Sequence, residues 1–224
     1  MKKEIFMKIE DLKSWKRIGC LISVIGGLLF IFLTIIAMFL YPGGYSFFFQ
    51  TFSYLGFVNS ATNGANNIIS RLIFIIACTI AALSLIPFWI IAPSLFSEKN
   101  ITRYISLLGS ACGVISTPFL VLLAIIPGDT HMVEHILATN VFFLLFAAAI
   151  LIYSIAIFLN PDYQNIYAFV GIAFSIFITL YPLVFRQIFL IRGTTQKIIV
   201  YGFILWVLFQ VTKVWKVVGP PTNK

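Results

Sequence analysis

Long runs of apolar residues alternate with short polar segments along the whole chain. Six of these runs exceed the roughly 18 apolar residues that mark a membrane-spanning helix. Each run is long enough to cross a hydrocarbon core about 30 Å thick, because an α-helix rises about 1.5 Å per residue. The pattern predicts six transmembrane helices, which cover approximately residues 18–40, 68–92, 102–126, 132–159, 167–191 and 196–217.

The composition supports this assignment. Of the 224 residues, 61% are hydrophobic and only 10% are charged, which leaves too little polar surface to cover a globule in water. We therefore expect an all-α fold, a polytopic six-helix transmembrane bundle. Its expected parts are a basic amino-terminal segment at 1–17, a membrane domain at 18–217 and a tail at 218–224. The first apolar run is longer than the core of a signal peptide, and we expect it to be retained as an anchor.

The distribution of basic residues indicates the orientation of the bundle. The net charge is +8, and eleven of the fifteen Lys and Arg residues fall on the side of both termini in a six-span topology. The other four are Arg71, Arg186, Arg192 and Lys197. The positive-inside rule predicts a multi-pass protein of the cell membrane with both termini in the cytoplasm. We expect the basic amino-terminal segment to rest on anionic membrane lipids, and we expect no nucleic-acid partner because the chain has no basic soluble domain.

The first outer connection, "YPGGYSFFFQTFSYLGFVNSATNGANN", is the longest loop of the predicted topology. It contains no Lys, Arg, Asp or Glu and is crowded with Phe and Tyr. So many aromatic side chains do not favour full exposure to water. We expect this aromatic-rich loop between helices 1 and 2 to lie at the membrane interface or to fold back over the bundle as a lid.

The stretch "PGDTHMVEH", residues 127–135, holds both histidines of the chain beside two carboxylates. One interpretation is that it simply begins the fourth helix. Asp129 or Thr130 would then cap the free amides, Glu134 would interact favourably with the helix dipole, and His131 would be an ordinary interfacial histidine.

A second interpretation is a polar ligand pocket in the outer half of the bundle. Ionisable groups at membrane depth are costly unless they are paired, and Arg71 or Arg186 is a candidate partner for Glu134 or Asp129. An arginine–carboxylate–histidine cluster beneath an aromatic lid would suit an anionic or amphiphilic headgroup. The candidate ligand-binding residues are Asn66, Arg71, Asp129, Glu134, His135 and Arg186.

A third interpretation is a metal site. His131 and His135 are one helical turn apart, and Asp129 at the helix start completes a two-histidine, one-carboxylate set that could hold zinc. A membrane-embedded hydrolase or lipid-modifying enzyme would use these three residues. The leading expectation is nevertheless a protein without a cofactor and without an enzymatic role.

Several short motifs resemble an uncharacterised six-helix membrane family, known as domain of unknown function 998. The similar segments are "SYLG" at 53–56, Asn66 and Asn67 before the second span, and "IPGD" at 126–129 followed by His135. Tyr54 stands where that family usually has an acidic residue, and Ile126 replaces a phenylalanine. The resemblance covers about the first two-thirds of the chain and implies the same six-helix fold. A weaker likeness is to the Frag1/DRAM/Sfk1 membrane family. Neither resemblance implies a reaction.

Small residues in the third span predict close helix packing. Gly109 and Gly113 form a small-xxx-small pair within "GSACG", which lets two helix backbones approach each other. The three cysteines, Cys20, Cys78 and Cys112, are scattered through predicted spans and are not the pattern of a disulfide framework.

Taken in order of preference, three functions fit the sequence. The first is a membrane protein that binds, or binds and moves, a lipid or small amphiphile in an outer-facing pocket. The second is the metal-dependent enzyme described above. The third is an accessory subunit that packs against another membrane protein or against further copies of itself.

Overall fold

Six long helices make up nearly all of the fold. The computed structural model describes residues 2–96, 101–161 and 163–218. The helices are α1 Lys2–Phe39, α2 Ile68–Ile91, α3 Ile101–Ile125, α4 Met132–Phe158, α5 Asn165–Leu183 and α6 Phe189–Val218. Short 3₁₀ turns cover Phe52–Gly56, Ala92–Leu95 and Phe185–Gln187. Within the described ranges, β pairing is limited to a single bridge between Asn59 and Asn66.

All six helices are long and apolar enough to cross a membrane. Their outward faces carry many exposed apolar side chains, for example Leu83 at 61% and Leu205 at 66% exposure. Such surfaces are unfavourable in water and favourable in hydrocarbon. The predicted all-α six-helix bundle is confirmed, and the chain is an integral membrane protein. All but the first residue of the tail predicted at 218–224 lies outside the described residues.

The bundle is built mainly from sequential helix pairs. α1 packs along α2, and α3 packs along α4, while α6 closes the bundle against α1 and makes little contact with α5. Trp89 of α2 lies fully buried at the centre. Four aromatic rings surround its indole at centroid distances between 4.8 and 6.1 Å, those of Phe88, Phe146, Tyr153 and Trp206.

The glycine pair of α3 has the packing role that the sequence predicts. A Cβ atom on Gly113 would lie 2.2 Å from the Trp89 ring, and one on Gly109 would lie 2.8 Å from the Tyr153 ring. Only residues without a side chain allow α3 to lie this close to those two rings. The three cysteines form no disulfide, in agreement with their scattered positions.

The predicted boundary between the fifth and sixth helices is wrong. The fifth helix ends at Leu183 rather than near residue 191, and the sixth begins at Phe189 rather than near residue 196. Pro182 lies in the last turn of α5, and the chain continues as a short 3₁₀ turn that contains Arg186. The apolar segment around this break, "LVFRQIFLI", has the hydrophobicity of a helix, so composition alone does not reveal the turn.

Residues 40–67, which we call the long loop, fold back over one end of the bundle. Phe52, Leu55 and Gly56 are buried there. We call this end the loop end; α4 and α6 begin there, whereas α1 begins and α6 ends at the opposite end. The expected lid over the bundle is therefore present, and it forms one wall of the site described next.

Candidate functional site

A pocket of about 270 Å³ opens beneath the long loop. Its walls come from the loop around Thr51–Phe57, from the first turns of α4, from the end of α5 and from the first turns of α6. The 3₁₀ turn brings Arg186 to the pocket, and the start of α6 brings Arg192. Three stretches that are far apart in the sequence therefore meet in one concave site: the long loop, the start of α4, and the chain from the end of α5 into α6.

His135 is the central histidine of this pocket. Its side chain is buried, and its Nδ1 atom lies 2.8 Å from the Ile126 carbonyl oxygen while Nε2 lies 3.0 Å from Ser53 Oγ. A carbonyl oxygen only accepts hydrogen bonds, so Nδ1 carries a proton; in the neutral ring Nε2 then accepts from the Ser53 hydroxyl. His135 thus joins α4, the end of α3 and the long loop.

Arg186 reaches the pocket from the turn between α5 and α6. Its Nη1 donates to Asn140 Oδ1 at 2.8 Å. Asn140 belongs to the third turn of α4, so this bond fixes the α5–α6 turn to α4. Because this partner is a neutral amide, it does not neutralise the positive charge of the guanidinium.

Arg192 enters from the first turn of α6 and binds the long loop. Its Nη2 donates to the Tyr54 hydroxyl at 2.7 Å, and its guanidinium carbon lies 4.8 Å from the centroid of the Phe189 ring. The Tyr54 ring stacks on Phe57 at 4.7 Å, which fixes the tyrosine. Nε of Arg192 is buried, and it has no hydrogen-bond partner within the described ranges.

Two neighbouring residues of α6 hold the long loop in place. Gln196 accepts a hydrogen bond from the Phe52 amide at 2.7 Å. Lys197 is 1% exposed; it donates to the Gln50 carbonyl, and its Nζ lies 5.0 to 5.5 Å from the centroids of Tyr45, Phe47 and Phe52. Burial raises the pKa of Tyr45, so its hydroxyl stays protonated and also donates to the Gln50 carbonyl.

A second cavity of about 80 Å³ continues into the core of the bundle. Its lining is almost entirely apolar and includes seven phenylalanine side chains from α1, α2, α4, α6 and the long loop. Ser53, Thr139 and Gln196 line both cavities. The polar pocket and the apolar cavity therefore adjoin each other, with three neutral polar side chains between them.

Of the six predicted ligand-binding residues, the structure brings two together. His135 and Arg186 both line the pocket. Asn66 is exposed and accepts from the Ile68 amide at 2.9 Å, while Arg71 donates to the Ile125 carbonyl at 3.3 Å. In the described part of the chain, neither Arg71 nor Arg186 forms an ion pair with Asp129 or Glu134.

The predicted helix start is correct in part. α4 begins at Met132 with Glu134 exposed in its first turn. The capping prediction is wrong, because the N-cap residue is His131 and it makes no side-chain capping bond. Asp129 instead accepts hydrogen bonds from the Val58 and Asn59 amides of the long loop at 3.0 to 3.1 Å. The Asp129 carboxylate therefore binds two amides of the long loop and does not cap α4.

The three candidate zinc ligands point to different surroundings. The Asp129 carboxylate binds the long loop, His131 is exposed with its Nδ1 2.9 Å from Thr130 Oγ1, and His135 faces inwards. Among the described residues, no group of three or more His, Cys, Asp or Glu side chains is placed to hold a metal ion.

Sequence reasoning missed Arg192, Tyr54 and Gln196 as pocket residues. The sequence placed Arg192 in the connection between the fifth and sixth helices and Gln196 at the start of the sixth. In the structure the sixth helix begins about two turns earlier, at Phe189, so both residues belong to it. A usable signal was present: Arg192 and Gln196 are four residues apart, which places both on one face of a helix that begins earlier. Tyr54 carried no such signal.

Comparison with models of known families, with curated proteins and with solved structures finds no match to this chain. The resemblance to the family of unknown function 998 therefore stays a prediction from the sequence.

Proposed function

We propose that this integral membrane protein binds a lipid or another small amphiphile at the loop end of its bundle. The observation that carries the proposal is the contact between the two cavities, since three shared side chains join a polar pocket to an apolar one. The lining of the first cavity suits a polar headgroup, and the lining of the second suits an apolar chain. A polar solute would gain little from seven phenylalanines, and a wholly apolar one would leave the arginines uncompensated.

The surface around the pocket supports access from the bilayer. The long loop exposes Phe47, Phe48 and Phe49, and the start of α6 exposes Phe189, which stacks on Phe49 at 6.4 Å. Aromatic rings concentrate where a membrane protein meets the headgroup region. This patch would place the pocket at the level of the headgroups, where an amphiphile is concentrated and already oriented.

Native mass spectrometry of the protein purified in a neutral detergent tests this proposal. We expect one amphiphile to be retained per chain after purification from membranes. Ala81→Leu fills part of the apolar cavity, whereas Ala111→Leu adds the same volume on the exposed face of α3. The first variant should lose the retained molecule and the second should keep it. Retention that is equal in both variants, with both folded, would contradict binding in this cavity.

We further propose that the protein lies in the cell membrane with the pocket facing outwards and both termini in the cytoplasm, as the basic residues predict. Single-cysteine variants of a chain without its own cysteines test this. Thr62 of the long loop and Lys216 near the opposite end are both exposed. A membrane-impermeant maleimide should label Thr62→Cys in intact cells and Lys216→Cys only after permeabilisation; the reverse pattern would overturn the orientation.

A further inference from the structure

We infer that the headgroup bound in this pocket is a phosphate or carboxylate oxyanion held by Arg186 and Arg192. This inference rests on the proposed function and narrows it to anionic amphiphiles. The two guanidinium groups have unused hydrogen-bond donors and uncompensated positive charge, and both features favour an oxyanion.

Both arginines have donors to spare. A guanidinium has five N–H groups and stays charged at any physiological pH. In the described part of the chain, the Arg186 guanidinium makes one hydrogen bond, to the amide oxygen of Asn140, and that of Arg192 makes one, to the hydroxyl of Tyr54. Both partners are neutral, and the buried Nε of Arg192 has no partner among the residues that the structure describes. The planar donor set of arginine matches the oxygens of a phosphate or a carboxylate.

No carboxylate of the described residues neutralises these charges. None of the side chains that line the pocket is acidic. Asp129 and Glu134 are the only acidic residues among the side chains described, at 14–96, 101–161 and 163–216. The first is engaged by loop amides, and the second is exposed outside the pocket. Two positive charges at the border of an apolar bundle are unfavourable without a counter-charge. An incoming oxyanion would supply it.

The protein itself fixes both arginines before a ligand arrives. Asn140 holds Arg186 from α4, and Tyr54, itself stacked on Phe57, holds Arg192 from the long loop. A site that is already ordered loses less conformational entropy on binding. The polar wall shared with the apolar cavity then directs a chain attached to the oxyanion towards the phenylalanines.

Binding of three probes to the purified protein in a neutral detergent tests the inference. The probes are lysophosphatidic acid, a monoacylglycerol with the same acyl chain, and inorganic phosphate. We expect lysophosphatidic acid to bind at least about tenfold more tightly than the monoacylglycerol, because charge-assisted hydrogen bonds contribute on that scale. We expect inorganic phosphate alone to bind far more weakly than lysophosphatidic acid, because it has no chain for the apolar cavity.

The variants locate the effect. Arg186→Gln combined with Arg192→Gln should reduce the preference for the anionic probe to about onefold. Arg71→Gln removes an arginine of the same end of the bundle that does not line the pocket, and it should leave the preference unchanged. Arg186→Lys keeps the charge and should keep part of the preference. The comparison of probes on the unmodified protein needs no variant to fold.

Equal binding of lysophosphatidic acid and the monoacylglycerol would overturn the anionic headgroup and leave amphiphile binding in place. Absence of binding for both would overturn the proposed function itself. Phosphate that binds as tightly as lysophosphatidic acid would identify a site for a free oxyanion, and it would overturn the amphiphile. A preference that survives the double arginine variant would overturn the assignment to these two residues.

Discussion

His135 and Ser53, 82 residues apart in the chain, are joined by a 3.0 Å hydrogen bond between Nε2 and Oγ. The bond links the first turns of α4 to the long loop, and the Nδ1 bond to Ile126 extends the link to the end of α3. His135 is therefore a structural joint at the wall of the pocket as well as a lining residue. The long-range hydrogen bonds of Asp129 and Lys197 also attach the long loop to the bundle.

Replacing His135 with alanine should destabilise the protein markedly. The change removes two hydrogen bonds and leaves the Ile126 carbonyl and the Ser53 hydroxyl without their partner. We expect the free energy of unfolding to fall by about 2–4 kcal/mol, from lost hydrogen bonds and a new cavity. Thermal unfolding in detergent measures this. His131→Ala changes an exposed histidine one turn earlier and should alter the free energy of unfolding by less than about 0.5 kcal/mol. Equal losses of stability in the two variants would show that the hydrogen bonds of His135 do not stabilise the loop end.

Replacing Asp129 with alanine should loosen the long loop. The carboxylate accepts from the Val58 and Asn59 amides, and charge-assisted bonds of this kind contribute about 1.5–3 kcal/mol each. Hydrogen–deuterium exchange should therefore accelerate at these two amides. Glu134→Ala serves as the control, because it removes the other carboxylate of the same segment from an exposed position. Unchanged exchange in Asp129→Ala would show that the carboxylate does not hold the loop.

Replacing Lys197 with methionine should release the aromatic part of the long loop. Methionine keeps the length of the side chain but loses the bond to the Gln50 carbonyl and the interaction with three aromatic rings. Each cation–π contact contributes about 0.5–2 kcal/mol. Amide exchange across residues 46–52 should rise by about tenfold or more.

A matched cluster at the opposite end of the bundle provides the control for Lys197. Lys213 lies 4.7 to 5.6 Å from the ring centroids of Tyr163, Tyr167 and Phe209. Lys213→Met removes the same kind of interaction far from the long loop, so exchange across 46–52 should stay at its original rate. Faster exchange in the Lys213 variant alone would contradict the role given to Lys197.

Replacing Gly113 with alanine should lower the thermal stability although alanine is the better helix former. Helix propensity favours alanine by about 1 kcal/mol. The added Cβ would lie 2.2 Å from the ring of Trp89, which is fully buried and packed against four other aromatic rings. Overpacking of this kind costs about 1–3 kcal/mol, so the net change should be destabilising. Ala111→Leu, on the exposed face of the same helix, should stay within about 0.5 kcal/mol.

The sequence predicted the fold well because the bilayer restricts which backbone structures can cross it. Apolar runs of sufficient length must be helices that satisfy their own backbone hydrogen bonds. The first four helices begin and end close to the expected residues, apart from the continuation of α1 back to Lys2. The boundary between α5 and α6 was wrong because the turn around Arg186 is as apolar as its neighbours, so hydrophobicity carries no information about it.

The site was predicted less completely because hydrogen-bond partners are chosen in three dimensions. Asp129 was expected at a helix cap or beside an arginine, but the fold brings the amides of Val58 and Asn59 within 3.1 Å of it. Arg192 and Tyr54, 138 residues apart, meet only because the long loop folds onto α6. Spacing along the chain reveals neighbours on one helix and nothing about such pairs.

By itself, the sequence determined that this protein is a six-helix membrane bundle with an aromatic loop, because apolar length and aromatic content act locally. Only the tertiary structure decided which polar side chains meet beneath that loop. It placed Arg186, Arg192 and His135 around one pocket and directed Asp129 away from it. The physical reason is that burying a polar group is favourable only with a partner, and the partners here come from distant segments of the chain.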